Sequence, residues 1–359
     1  MESLAVMDAN VFRGKRVLIT GHTGFKGAWL SIWLEHRGAE VIGVALDPAD
    51  DRCLYTTSGI DARIRDLRCD IRHGEKLGDL FVQERPEVVF HLAAQALVLE
   101  SYRAPITTFD VNMMGTVHVL EAIRRSPSVK AAVMVTTDKC YENRERPEGY
   151  KETDALGGHD PYSASKGAAE IVIASYRRSF FSEQGSAAIA SARSGNVIGG
   201  GDWSADRIVP DLFRAVEAGG PLIVRNPSSV RPWQHVLEPL HGYLLLAARL
   251  LKEPETFAEA WNFGPSADQV HTVQELADAM LAHIGKGSWR EADQGTKAHE
   301  AGLLMLDIRK AITRLGWRPR LSFAETVRMT ADWYSERNRT DVLGLCRAQI
   351  DTYEHRGDR

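Results

Sequence analysis

Arg16-Val17-Leu18-Ile19-Thr20-Gly21-His22-Thr23-Gly24-Phe25-Lys26-Gly27 is the stretch from which the fold is read. A short β-branched and apolar run breaks into three glycines, and Phe25 to Arg37 follows with helical spacing that offers Trp29, Ile32, Trp33 and His36 to one face. The pattern is strand, turn, helix. Bare backbone at Gly21, Gly24 and Gly27 lets a pyrophosphate approach a helix N-terminus, where peptide N–H groups favour its charge. A tight turn without a ligand would use the same glycines, and the spacing is GxxGxxG rather than GxGxxG. The flanking strand and helix favour the dinucleotide.

Further along, Val41 to Leu46 reads as a second strand ending at Asp47, 20 residues beyond Gly27, where a carboxylate accepts hydrogen bonds from an adenosine ribose and repels a 2′-phosphate. NAD is therefore expected over NADP. Val88–Leu92 and Ala131–Val135 read as further buried strands with helices between them, the signature of a parallel sheet covered on both faces. Asp70 and Ile71, after a third strand, are placed for the adenine. Ala93, Ala94 and Gln95 give a small-residue floor, and Thr23, Phe25 and Thr136 complete the expected cofactor contacts.

The second half predicts a helix from Tyr162 to about Phe181, a strand at Ala187–Ser191, a loop at Gly199–Trp203, a helix at Arg207–Ala218, a strand at Pro221–Arg225 and a helix at Val236–Leu251. The expected fold is α/β: a Rossmann-type doubly wound parallel sheet with a smaller C-terminal α/β substrate lobe. Residues 12–195, with returning segments at about 232–265, form the NAD-binding domain. Residues 196–231 and 266–340 form the lobe, and 341–359 a charged, partly packed tail. There is no internal repeat.

Composition narrows the function classes. The chain has 359 residues, 44% apolar and 26% charged, enough for a large core. A net charge of -4 with no Lys/Arg block supplies no field for nucleic acid. Met1–Asn10 lacks the cationic and apolar pattern of a secretory leader, and the apolar stretch at Tyr243–Leu251 is too short to span a bilayer. A cytoplasmic protein with no membrane partner is expected. Cys53, Cys69, Cys140 and Cys346 are scattered without CxxC spacing, so neither a metal site nor a disulfide framework is expected.

Chemistry enters with Val133-Met134-Val135-Thr136-Thr137-Asp138-Lys139-Cys140-Tyr141, which sets an acid and a potential base at a strand end beside the cofactor. Tyr162 and Lys166 are four apart on a predicted helix and share a face, so the ammonium lowers the tyrosine pKa and reaches a ribose hydroxyl. Such a pair is common on surfaces; after a glycine-loop domain and Thr136-Thr137 it reads as a redox dyad. The two constellations together suggest hydride transfer coupled to loss of water. Asn196, Arg207 and Arg231 are suited to a sugar diphosphate because arginine offers a forked donor to phosphate oxygens. Arg225 is a candidate for the base pocket, or a solvated strand end. Trp203, Trp233 and Trp261 are available to stack on a base, though core or lid packing is the commoner use.

From about Gly14 to Trp333 the chain resembles the extended short-chain dehydrogenase/reductase family, and within it the dehydratases of nucleotide sugars. The resemblance rests on Gly21–Gly27, Thr137–Tyr141, Asp160–Lys166, Gly195–Trp203 and Arg231–Pro239. It implies CDP-glucose as substrate and NAD that is reduced and reoxidised within one turnover. In that scheme Tyr162 takes the C4 hydroxyl proton, Thr137 orients the sugar, Asp138 protonates the departing C6 hydroxyl and Gln95 with Thr137 lines the sugar site. Lys139 is either the neutral base at C5 or an ammonium that stabilises the enolate, since related dehydratases carry glutamate there. The family also implies a homodimer, or a dimer of dimers, built on the helix of Tyr162. An epimerase, a C5-inverting dehydratase and a non-catalytic dinucleotide sensor are the rival readings; Asp138-Lys139 disfavours the first, the long motifs the second and intact Tyr162 and Lys166 the third.

Overall fold

Seven parallel strands form the centre of the computed structural model, which describes residues 10–266, 269–292 and 303–356. The expectation for Met1–Asn10 therefore lies, Asn10 apart, outside the described residues. The strands are β1 (Arg16–Thr20), β2 (Glu40–Ala45), β3 (Arg65–Arg68), β4 (Val88–His91), β5 (Ala131–Val135), β6 (Ala188–Ser194) and β7 (Ala260–Phe263). Their spatial order is β7-β6-β5-β4-β1-β2-β3. The chain leaves β1 in one direction and resumes at β4 in the other, so the strand order reverses between them and opens a crevice at their C-terminal ends. Thr20 pairs with His91 across that junction, and the Thr20 hydroxyl and His91 Nδ1 share a 2.7 Å hydrogen bond.

Helices α1 (Phe25–His36), α2 (Gly74–Glu84), α3 (Gly115–Arg124) and α4 (Pro161–Phe180) flank the sheet. One core gathers Val17, Ile19, Trp29, Trp33, Phe90 and Val133; a second, on the opposite face, gathers Leu18, Ile42, Phe81, Val89 and Met134. Alternate residues of β1 thus enter different cores, which is why its sequence is apolar throughout. Strand β6 runs three residues past the expected end at Ser191. Arg193 is tolerated there because it is paired in the interior, 2.7 Å from Glu170.

The stretches expected to form the smaller lobe hold α5 (Ile208–Glu217), α7 (Val273–Ile284) and α8 (Phe323–Glu336), with the strand Leu222–Val224 paired to Trp289–Glu291. Between them the chain returns to the large sheet through α6 (Leu237–Lys252) and β7, which pairs with β6.

The segment after Thr340 departs from the expected partly packed tail. It forms α9 (Val342–His355), whose Val342, Cys346, Ile350 and Tyr353 make a buried stripe at helical spacing. Trp33 Nε1 donates to Glu354 Oε1 at 2.7 Å and Arg37 pairs with Asp351 at 2.7 Å, fixing α9 on α1. Glu238 of α6 fastens it from below: Oε2 accepts the Tyr353 hydroxyl at 2.7 Å, while Oε1 accepts the backbone N–H of Arg320 at 2.8 Å and of Leu321 at 2.7 Å. Burial pushes the Glu238 carboxyl up to about 7.

Candidate active site

The crevice opens into a cavity of about 1280 Å³ running from the glycine turn to the smaller lobe. Its floor at the β1–β4 junction is backbone. Gly21 has φ +77°, and a Cβ there would lie 2.7 Å from the Ala93 nitrogen. A Cβ on Gly27 would collide with the Gly21 carbonyl oxygen and lie 2.7 Å from His22 Cα. Only glycine leaves this turn tight enough to present its N–H groups. A cradle of this shape fits the diphosphate of a dinucleotide.

Thr23, Gly24, Phe25, Asp70, Ile71, Ala93, Ala94, Gln95 and Thr136 all line the cavity. Asp47 does not: its exposed carboxylate accepts from Arg68 Nε at 2.8 Å. Asp70 is pulled below the usual carboxylate range by its hydrogen bonds with Arg72. The Gln95 side chain is spent on its own loop, donating to Thr108 Oγ1 at 2.9 Å and accepting from the Leu97 N–H at 2.6 Å.

Beyond the cradle, Tyr162 and Lys166 stand one turn apart on α4. That helix starts where it does because Pro161 supplies a fitting first residue and Asp160 caps it, accepting the Ser163 N–H at 2.9 Å. Both side chains line the cavity and are buried. Burial pushes the Tyr162 phenol up to about 12, opposed by its hydrogen bond with Thr137, and lowers the Lys166 ammonium to about 8, opposed by Glu170. Thr137 in turn donates to Asp138 Oδ1 at 2.8 Å. Lys139 is one-third exposed, lines the cavity, and sits 3.6 Å from the same Asp138 oxygen. Asp138 itself is 1% exposed and stands behind the wall; its Oδ2 has no hydrogen-bond partner among the described residues and lies beside Gly195.

At the far end, Asn196, Arg207, Arg225 and Arg231 all line the cavity. Arg207 donates to Asp202 at 2.9 Å and Arg225 to Asp206 at 3.3 Å. Of the tryptophans, Trp233 lines the cavity, Trp203 packs edge-on against Tyr334, and Trp261 is a core residue of β7 stacked near Phe257.

Two groups escaped the sequence reading. Lys26 turns inward from the glycine loop and donates to Ser194 Oγ at 2.8 Å, and that hydroxyl shares a 2.8 Å bond with the Tyr243 hydroxyl. Burial, with Arg207, lowers Lys26 to about 7. A lysine between Phe25 and Gly27, inside the glycine turn, was the available signal. The second is Glu170, one turn beyond Lys166, for which the four-residue spacing was the signal.

Comparison with known proteins places the chain in a family. A family model described as GDP-mannose 4,6 dehydratase matches residues 18–330. The CDP-glucose 4,6-dehydratase of Salmonella typhimurium is 45% identical over 97% of this chain and 98% of its own. Among solved structures, a dTDP-glucose 4,6-dehydratase from Streptomyces venezuelae with NAD bound is 26% identical, with a TM-score of 0.77 over 91% of this chain and 99% of that one. A UDP-glucose 4-epimerase of Thermus thermophilus in complex with NAD is 27% identical, with a TM-score of 0.77 over 89% and 99%. The chain belongs to the GDP-mannose 4,6 dehydratase family, within the extended short-chain dehydrogenase/reductases whose motifs it carries.

Proposed function

We propose that the protein is an NAD-dependent hydro-lyase that converts CDP-glucose to CDP-4-keto-6-deoxyglucose and water. The observation that carries this reading is the likeness, over nearly both full lengths, to a CDP-glucose 4,6-dehydratase. The glycine cradle, Thr136, Tyr162 and Lys166 would hold NAD, which when bound accepts hydride from C4 and returns it to C6.

Tyr162 takes the C4 hydroxyl proton. A phenol near 12 needs positive charge beside it to act as a base; in the structure the Arg207 guanidinium, rather than the expected Lys166, is the cation whose field opposes its burial, and Lys166 stands one turn on along the same helix. Thr137 holds the hydroxyl in line. Once C4 is a ketone its neighbour C5 is acidic, and Lys139, on the cavity wall, serves there as the neutral base or as an ammonium holding the enolate. Asp138 supplies the proton for the departing C6 hydroxyl by turning its unpartnered oxygen toward the cavity. Arg207, Arg231 and Asn196 bind the diphosphate, with Arg225 toward the base.

The same reading includes a homodimer. Tyr102, Ile106, Met114 and Ile171 are exposed apolar side chains on α4 and on the short helices and turn at 98–114 packed against it. Among the described residues no helix is long and apolar enough to cross a membrane; we assign the protein to the cytoplasm.

The test is mass spectrometry of products formed from CDP-, dTDP-, UDP- or GDP-glucose with NAD in deuterated water. Loss of water from CDP-glucose, with deuterium at C5, is the expected result. Turnover of another nucleotide in preference overturns the base assignment, and no water loss from any of them overturns the reaction.

A further inference from the structure

Behind the Tyr162–Lys166 face lies a buried polar cluster that the reaction scheme leaves unused. Glu170 continues the row 162, 166, 170 at one-turn spacing, so its carboxylate lies on the same side of α4 as the lysine. It is 2% exposed. Its Oε1 accepts the Thr136 hydroxyl; its Oε2 accepts Ser191 Oγ at 2.8 Å and Arg193 at 2.7 Å. Arg193 uses its other terminal nitrogen on the Tyr141 hydroxyl at 2.7 Å and the Glu152 carbonyl at 3.2 Å, and the Tyr141 hydroxyl donates to Asn262 Oδ1 at 2.8 Å.

The cluster thus grips the segment Thr136–Tyr141 at both ends, Thr136 through Glu170 and Tyr141 through Arg193. Between those two grips lie Thr137, Asp138 and Lys139. A core of this kind is not needed for stability, because a buried ion pair contributes little over a well-packed apolar pair of similar volume. What an apolar pair cannot supply is negative charge beside Lys166.

We propose that Glu170 is a positioning residue for the active site: its carboxylate supplies the counter-charge of Lys166 and fixes the strand end that carries Thr137, Asp138 and Lys139. Lys166 is otherwise poorly placed to stay charged. Around it are Tyr162 on its own helix, Cys140 on the turn after β5, His91 at the end of β4 and Lys26 from the glycine loop. His91 is held neutral by burial, Lys26 is a like charge whenever it is protonated, and the Cys140 thiol is pushed up by burial and stays protonated. Glu170 is the carboxylate whose field acts on the lysine. Glu170 remains ionised despite its burial because the Arg193 charge and hydrogen bonds from Arg193, Thr136 and Ser191 hold it below its ordinary value.

The proposal rests on reading Tyr162 and Lys166 as the redox dyad, and its test reads the lysine directly, without turnover. Full-length protein labelled with carbon-13 at lysine Cε is titrated by NMR, the Lys166 signal being assigned by its loss in Lys166→Met. Glu170→Gln should weaken proton binding at Lys166 by about tenfold or more, the usual effect of removing an opposite charge at this range. Glu170→Asp keeps the charge and should leave the midpoint near that of the natural protein. If Glu170→Gln does not fold, because Arg193 is left unpaired, the double variant Glu170→Gln with Arg193→Gln removes both charges and is titrated instead. The alkaline limb of kcat/KM should move down with the lysine. A Lys166 midpoint unchanged in the folded Gln variant overturns the proposal and leaves Glu170 a structural residue. A shifted midpoint in a protein that dehydrates no nucleotide sugar keeps the electrostatic role and removes the reaction assigned to the dyad.

Discussion

Replacing Glu238 by Gln should make the protein more stable at pH 8 and flatten the pH dependence of its stability. Burial sets the Glu238 carboxyl at about 7 in the folded protein, against an ordinary value of 4.5. The folded state therefore prefers the protonated group. Below pH 4.5 the proton is bound in both states and the preference is fully present; as pH rises toward 7 the unfolded chain has lost its proton first, and stability falls. At pH 8 the loss is complete and amounts to about 3 kcal/mol, at 1.36 kcal/mol per pKa unit. An amide keeps the hydrogen bonds: its oxygen accepts the Arg320 and Leu321 N–H groups and its NH₂ donates to the Tyr353 oxygen, in place of the three bonds seen here. Neutral bonds are weaker than charged ones by about 1 kcal/mol, leaving a net gain of about 1–2 kcal/mol at pH 8 and none at pH 5. Urea unfolding followed by tryptophan fluorescence reads it, since the Trp317 indole donates to the Glu238 carbonyl and Trp33 packs against Tyr353. Other titrating groups cancel when the two proteins are compared at each pH. A variant less stable than the parent by the same amount at both pH values refutes the reasoning, and means that three donors hold the carboxylate ionised in spite of its burial.

Gly27→Ala, whose Cβ would meet the backbone of Gly21 and His22, should weaken NAD binding by at least about tenfold in calorimetric titration, from the 1–3 kcal/mol cost of forcing a packed turn open; Gly220→Ala, which meets nothing within 4 Å, should leave it unchanged. Tyr162→Phe should lower kcat by about 10²–10⁴-fold with little change in NAD affinity, as loss of an acid–base group does, measured by steady-state kinetics. Lys139→Gln should abolish solvent deuterium at C5 while some reduction of bound NAD persists at 340 nm (about the nicotinamide absorption maximum); unchanged turnover would remove this lysine from the chemistry.

The parallel strands were legible because a strand covered on both faces has to be apolar at every position, and Val17–Ile19 and Ala131–Val135 are. The glycine turn was legible because only glycine fits it. Ends were harder: β6 runs on through Arg193, where the sequence shows a charge and the fold hides its partner, Glu170, 23 residues upstream. Spacing gives the face of a helix or strand, but not where a side chain at a strand end or in a loop turns. Asp47 stands at the end of β2 as read, yet its carboxylate turns to Arg68, and Gln95 reaches the cavity wall with its amide already committed. The terminal helix α9 was hidden by its charge, since its apolar stripe is one residue in three or four.

The return of the chain to the large sheet has a consequence during synthesis. Until β7 leaves the ribosome, β6 is an open edge with every outward N–H and C=O unpaired, while the first part of the smaller lobe is already made. A nascent edge of that kind is a template for association with other chains. Translation that pauses anywhere between Ser194 and Phe263 prolongs this exposure, so yield of soluble protein should follow the speed of that stretch more closely than the stability of the finished fold.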